Sequence, residues 1–315
     1  ISYRMVPLEN GRRRLMLAAV LAALGMTGGG ALGEIGKTSD DIAGTLGALA
    51  ALLLLLAKLD RAMAVRRADL LAVLLPAGFL AGASPGLKLT TAPYAVALAI
   101  ALFTLPGSFR QRVLRSGAFS VGVLAGIAVF GGYWFWRMYA FSGDPLFPYF
   151  NNVFPTDLVV PGDYSDPTFL KHARQTPFAF PFVFSLNSLV VAEWRFRDVH
   201  IAIAYVLVPL AGIAAVFGLR PAERRVDPTA ARFLLVTAAV TYLAWFFLFS
   251  VYRYLVPLEM LCPTIIVVAL ALLPIPHRAW IAASAVVLLA AQAVAARGDD
   301  PRLPWSGRYV EVDVP

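Results

Sequence analysis

Charge is scarce in this chain, and so are the residue types from which disulfide frameworks and metal cages are built. Only 15% of its 315 residues are charged, 59% are hydrophobic and the mean hydropathy is +0.72; a soluble domain carries roughly 25% charge and 45–50% apolar residues. That balance excludes an ordinary soluble domain and identifies an integral membrane protein. The single cysteine, Cys262, lies in an apolar run, which excludes a disulfide framework or a cysteine metal cage. His172, His200 and His277 are widely spaced and form no ligand pattern. Alternating strands of the kind that close into a barrel are lacking, so the expected architecture is helical. The chain opens "ISYRMVPLENGRRR", with neither an initiator Met nor a signal-peptide pattern, and is expected either to have been processed or to be the carboxy-terminal part of a longer protein.

What is present is a series of long uncharged runs, among them "IAGTLGALAALLLLLA" and "TIIVVALALLPI", of the kind that fill a bilayer core with about 20 helical residues. Read against breakers, they predict about nine transmembrane helices, over 15–33, 41–57, 69–84, 89–106, 116–138, 199–219, 232–250, 254–274 and 279–296. The expected fold class is thus an all-α polytopic membrane helical bundle. Its predicted organisation is five spans within 1–136, an aromatic-rich outer loop over 137–198 containing interfacial helices, four spans within 199–296, and an outer tail over 297–315.

The net charge of +8 does not point to nucleic acid, because the basic residues sit in short clusters between apolar runs. Arg4, Arg12, Arg13, Arg14, Lys58, Arg61, Arg66, Arg67, Arg110, Arg112, Arg115, Arg220, Arg224, Arg225, Arg232 and Arg278 make up sixteen of 27 Lys and Arg, and strict alternation puts them all on one face. The positive-inside rule makes that face cytoplasmic, and the expected location is the bacterial inner membrane.

The opposite face collects the chemistry. It receives "GEIGKTSDD", "SPGLK", the 137–198 loop with "FSGDPLFPYFNNVF", and "SVYRY". Its acids are Glu34, Asp40, Asp41, Asp144, Asp163, Asp166, Glu193 and Asp198, and its cations include Lys37, Lys88, Arg195, Arg197 and Arg253. Cations at a membrane boundary can hold a lipid phosphate, and a carboxylate beside them can take a proton from an acceptor hydroxyl. Lys88 starts a span, and Arg253 stands between two, flanked by tyrosines. Glu259 lies roughly 9 Å deeper on the helix that follows, where a carboxylate needs a partner or a polar cavity. Asp40 or Asp41 could cap the second span. If 191–202 is helical, Glu193 and Arg197 share a face as a surface pair.

The segments "GEIGKTSDDIAGTLGALAALLLLL", "GLKLTTAPYAVALAIALF", "GGYWFWRMYAFSGDPLFPYFNNVF", "DPTFL", "VAEWRFRDVHIAIAY" and "YRYLVPLEML", in that order over about residues 31 to 262, resemble bacterial polytopic membrane proteins of the GT-C glycosyltransferase superfamily. The resemblance implies a polyprenyl-phosphate sugar as donor, transfer on the outer face and a carboxylate base. It carries over Glu34, Asp41 and Glu193 as candidate catalytic acids, and Lys88, Arg253, Asp198 and Glu259 as candidate substrate-binding residues. Enzymes of this type place their usual catalytic acid in the first outer loop. Glu34, Asp40 and Asp41 occupy that loop if the chain is whole; if further spans precede "GEIG", they line the donor or acceptor side. Some such enzymes bind a divalent cation, though no cluster in the sequence demands a metal.

The leading expectation is therefore a membrane glycosyltransferase acting on a lipid-linked or cell-envelope acceptor, with membrane lipids as neighbours. Two other classes stand beside it. One is a non-catalytic membrane subunit packed against partner subunits. The other is a lipid or solute transporter, whose usual inverted repeats or midplane breaks are not evident here.

Overall fold

The computed structural model describes residues 1–5, 10–37, 40–160, 162, 164 and 167–298. Asp163, Asp166 and the tail from 299 onward lie outside the described residues. All regular structure among the described residues is helical, with no strand among them; one isolated antiparallel bridge joins Arg197 to Ala296.

Apart from short helices at Ser2–Met5 and Leu59–Ala64, the elements in chain order are α1 (Gly11–Met26), α2 (Gly29–Glu34), α3 (Asp41–Ala57, with a break at Thr45), α4 (Arg67–Leu87), α5 (Leu89–Thr104), α6 (Phe109–Ser142), α7 (Thr168–Gln175), α8 (Phe180–Leu186), α9 (His200–Val216), α10 (Pro228–Leu248), α11 (Val256–Leu272) and α12 (His277–Val294). By length and composition, α4, α6, α10 and α12 are long and apolar enough to cross a membrane; α3, α5, α9 and α11 are shorter apolar helices. Local sequence explains the boundaries. Asn10 caps α1, accepting from the N–H groups of Arg12 and Arg13. Ser108 and Gln111 form a reciprocal capping box at α6, and Gly143 ends it with φ 77°. Asp227 caps α10, whose first residue is Pro228.

Three expectations are revised. The run 15–33 is two helices, because Gly28 adopts an extended conformation and the chain restarts at Gly29. The stretch 191–199 is not helical: Arg197 trades both backbone hydrogen bonds with Ala296, each 2.9 Å, so Glu193 and Arg197 do not share a helical face. Asp40 takes the N-cap position before α3 but makes no side-chain capping bond, because its carboxylate goes to Lys88 instead.

α4 and α6 run side by side in the same direction. Gly78 lies against Phe119, Gly82 against Val123 and Gly86 against Gly131. Small residues four apart let the two backbones touch, which is how apolar helices associate where hydrophobic exclusion supplies no drive. A Cβ on Gly82 would overlap the Val123 carbonyl. Because α4 ends at Leu87, the stretch of α6 from Gly131 to Ser142 projects roughly 16 Å past it. Tyr133, Trp134, Trp136, Tyr139 and Phe141 are exposed along that projection, as aromatic residues are at a bilayer interface.

Contacts among helix ends sort into two sets. At one end, Gly29 meets Asp198, Ala31 meets Glu259, Asp41 meets Lys88, and Arg253 meets Glu193. Away from it, Arg4 donates to the Leu56 and Ala57 carbonyls, Arg61 pairs with Asp69, Arg115 donates to the Pro106 carbonyl and Arg225 to that of Ile275. Arg4 thus binds carbonyls in the last turn of α3, while Arg115 and Arg225 bind carbonyls of the loops that follow α5 and α11.

The stretch after α6 folds locally. Asp144 is buried and accepts from the Leu146 N–H (2.8 Å), Asn151 is buried and accepts from the Thr156 N–H (3.1 Å), and the Phe147–Pro148 peptide is cis. Two short helices, α7 and α8, follow within the 143–199 segment.

Candidate functional site

Four separate segments deliver charges to one rim at the first end. α4 stops at Lys88, whose extended backbone (φ −148°, ψ 106°) turns its side chain away from the helix axis. Its ammonium lies 2.5 Å from Asp40 Oδ1 and 2.7 Å from Asp41 Oδ1. The other Asp41 oxygen lies 3.8 Å from Arg253 Nε, and Arg253 Nη1 lies 3.8 Å from Glu193 Oε1. The result is a chain of alternating charge, Asp40, Lys88, Asp41, Arg253, Glu193, drawn from four places in the sequence. Exposure grades across it. The Asp41 side chain is 2% exposed, Lys88 22%, Arg253 35%, Glu193 55% and Asp40 67%.

Aromatic packing fixes Arg253. Phe180 stacks on Trp245, Phe184 meets Trp245 and Tyr252 edge-on, and Phe196 lies against Tyr252 at 4.4 Å between centroids, all buried. The Trp245 indole donates to the Val251 carbonyl (2.7 Å), and the Tyr252 N–H donates to the Val191 carbonyl (2.8 Å). These bonds hold a tight turn, with Ser250 at φ 55°, that buries Val251 and Tyr252 and leaves Arg253 partly exposed. Arg253 donates to the Tyr254 hydroxyl at 3.2 Å, and Tyr254 is itself fixed by the Tyr94 hydroxyl, which donates to its carbonyl at 2.9 Å. The Lys88 hydrogen bond holds the Asp40 carboxyl below its ordinary range. Burial works to discharge Lys88, but the hydrogen bonds to Asp40 and Asp41 outweigh it and raise the ammonium above its ordinary value.

Glu34 is buried beside this rim, with Oε1 3.9 Å from Lys37 Nζ; that ammonium in turn sits 3.2 Å above the Trp194 ring, next in sequence to Glu193.

Asp198 and Glu259 occupy a second, enclosed cluster behind the rim. Asp198 Oδ2 accepts from the Gly29 N–H (2.9 Å), and Oδ1 accepts from the His200 N–H (2.8 Å), with His200 Nδ1 3.1 Å from both oxygens. Glu259 Oε1 accepts from the Ala31 N–H (3.1 Å). Both acids thus bind backbone where the chain restarts at α2. Gly28 and Gly30 are required there: a Cβ on Gly28 would strike Glu259 and stand 3.2 Å from Asp198 Oδ2, and one on Gly30 would strike Tyr252 and Glu259.

The seven residues singled out in the sequence therefore fall into three groups: Asp41, Lys88, Arg253 and Glu193 in the charged chain; Glu34 on Lys37 beside it; Asp198 and Glu259 enclosed behind. Sequence reasoning passed over His200, Tyr252 and Trp194. The "DVH" spacing before a helix was the available signal for the first, since an Asp two residues ahead can accept the histidine N–H. Among the described residues no group of three His, Cys, Asp or Glu could hold a metal ion.

A groove of about 590 Å³ runs between α8, α9 and α12, lined by apolar side chains including Phe182, Leu186, Val199, Ile203, Leu207 and Val287. Val199 at its head adjoins the Asp198–His200 turn.

No family model matches the chain, and comparison with curated proteins and with solved structures finds no match either.

Proposed function

We propose that the protein is a GT-C-like membrane glycosyltransferase that moves a sugar from a polyprenyl-phosphate donor to a lipid-linked or cell-envelope acceptor on the outer face. The observation that carries this reading is the charged chain itself. Two cations stand at the ends of apolar helices with three carboxylates around them. Lys88 and Arg253 are far enough apart to be bridged by Asp41, so an incoming phosphate oxygen competes with a carboxylate that already marks the anion position. Glu193 is the most accessible of the three candidate bases and is held loosely by Arg253, which leaves it able to accept a proton from an acceptor hydroxyl. Asp41 and Glu34 set the positions of the cations. The apolar groove between α8, α9 and α12 can take a lipid chain.

In this reading the chain crosses the bacterial inner membrane about nine times, with α1 and α2 together, α3 to α6 and α9 to α12 as the spans. The arginine-rich ends face the cytoplasm and the rim faces outward, at the level of the exposed aromatics on α6. The 3₁₀ turn at Tyr252–Tyr254 precedes α11 and lengthens that span.

The test is transfer by purified protein in proteoliposomes containing a polyprenyl-phosphate sugar, comparing wild type with Arg253→Ala and Glu193→Gln. Inserted but inactive variants support the reading. Undiminished transfer by Arg253→Ala sinks the phosphate role, and undiminished transfer by Glu193→Gln sinks the base.

A further inference from the structure

The groove between α8, α9 and α12 has a charged head as well as apolar walls. Its α9 wall runs from Val199 to Leu207, about 12 Å of helix, close to the ~15 Å of hydrocarbon in one leaflet. Val286, Val287 and Ala290 supply the α12 wall, and Phe182, Ser185 and Leu186 the α8 wall. Ser185 is the one polar residue in the lining, and its hydroxyl already donates to the Pro181 carbonyl at 2.8 Å. The walls therefore ask for an apolar chain. At the head the α9 and α12 walls are tied together, because Arg197 trades both backbone hydrogen bonds with Ala296. Arg197 lies just before α9 begins at His200, and Arg297 just after α12 ends at Val294. Both arginines are exposed, and among the described residues neither is ion-paired. The acids nearest in sequence to Arg197 are committed elsewhere: Asp198 accepts from the Gly29 and His200 N–H groups, and Glu193 meets Arg253. Two guanidinium groups on adjoining backbones, each without a counter-ion, repel one another until an anion joins them. A phosphate does so best, since its oxygens match the guanidinium fork.

We propose that this groove is a binding site for one acidic phospholipid, with its phosphate held by Arg197 and Arg297 and one acyl chain laid along α9. Basic clusters between membrane helices recognise acidic headgroups in this way. The occupant is a lipid of the surrounding leaflet, because the groove is one leaflet deep and its cations are separate from the Lys88 and Arg253 pair, which already has carboxylates around it. A lipid so held braces the bridge between the 191–199 segment and the end of α12, and with it the backbone that carries Glu193 and Asp198. The site stands apart from the glycosyltransferase reading and requires only that α9 and α12 lie in a membrane.

The experiment titrates the full chain, purified in detergent and stripped of lipid, with dioleoylphosphatidylglycerol or dioleoylphosphatidylcholine, and counts bound lipid by native mass spectrometry. Wild type should bind one phosphatidylglycerol about tenfold or more tightly than phosphatidylcholine. Arg197→Gln combined with Arg297→Gln should bring phosphatidylglycerol down to the phosphatidylcholine affinity. Arg174→Gln, which removes an exposed cation of α7 outside the groove lining, should leave phosphatidylglycerol binding unchanged. Ala290→Trp fills the groove from an exposed position and should weaken both lipids, which keeps the test open if the double arginine variant fails to insert. Equal affinity of wild type for the two lipids, undiminished phosphatidylglycerol binding in the double arginine variant or in Ala290→Trp, or an equal loss in Arg174→Gln each overturns the site. A short-chain polyprenyl phosphate forms the last arm. If it displaces phosphatidylglycerol and loses its own binding in the double arginine variant, the groove belongs to that lipid and the phospholipid assignment falls. If the double arginine variant keeps polyprenyl phosphate and loses phosphatidylglycerol, the groove and the rim are separate sites, and either reading can fail alone.

Discussion

Lys88 offers a direct measure of how burial sets the worth of an ion pair, because one ammonium meets two carboxylates at almost the same distance. Asp40 Oδ1 is 2.5 Å away with its side chain 67% exposed; Asp41 Oδ1 is 2.7 Å away with its side chain 2% exposed. Exposed pairs are worth about 0–1 kcal/mol, because water screens the attraction and the side chains lose freedom. Stranding a buried charge costs about 3–5 kcal/mol; Lys88 is itself partly exposed and Asp41 keeps Arg253 at 3.8 Å, which puts the expected loss for Lys88→Met near the lower figure. Asp40→Asn should cost under about 1 kcal/mol. In a double-mutant cycle, Lys88→Met with Asp41→Asn should recover about 2 kcal/mol relative to the sum of the single variants, within the range seen for residues in contact. The assay is thermal unfolding in detergent micelles followed by far-ultraviolet circular dichroism, with identical detergent and lipid content for all variants. Equal losses from Asp40→Asn and Asp41→Asn, or additivity in the Lys88 and Asp41 cycle, would refute the claim that burial at Asp41 organises the rim.

Other outcomes follow from the same contacts. Gly82→Ala should destabilise by about 1–3 kcal/mol, because its new methyl meets the Val123 carbonyl and the α4–α6 backbones must separate; Gly132→Ala, with nothing near it, should be neutral or stabilise by up to about 1 kcal/mol. The melting temperatures of the two variants check this ordering. The Asp40–Lys88 contribution has a defined pH window. The lowered Asp40 carboxyl gives stability that is present above its ordinary value of 3.8 and lost as pH falls through the lowered one, and the raised Lys88 ammonium gives stability that is present below 10.5 and lost as pH rises through the raised one. The melting difference between wild type and Asp40→Asn should thus be flat near neutrality and shrink at both extremes. Trp194→Leu should free Lys37 from its ring and increase the rate at which Lys37 reacts with an amine-directed reagent.

Helix positions were legible in the sequence where apolar runs end in charge or proline, as at 41–57 and 89–106, since both signals are local. The break at Gly28 was not, because the run "LAALGMTGGGALG" is apolar throughout and only distant Asp198 and Glu259 show why the backbone opens there. The chain Lys88, Asp41, Arg253 and Glu193 was legible as a set of charges on one face; its connectivity was not, since it depends on which ends meet. Glu193 was read against Arg197, four residues on, and meets Arg253 instead, because the 191–199 segment is not helical and Arg197 is bridged to Ala296. Asp144 shows the reverse case. It looked like one more outer acid, and it is spent on the turn at Leu146.

The central claim, that Lys88 and Arg253 form an anion site for a lipid phosphate, is tested most directly by binding. Wild type and Arg253→Ala, both confirmed as inserted, are reconstituted in nanodiscs and titrated with a short-chain polyprenyl phosphate, with the matching uncharged prenol as control. The account predicts saturable binding of the phosphate by wild type, at least a tenfold loss in Arg253→Ala, about 1.4 kcal/mol or more, and no binding of the prenol at the same concentration. Equal affinity of the two proteins for the phosphate, or equal affinity of wild type for phosphate and prenol, would contradict it.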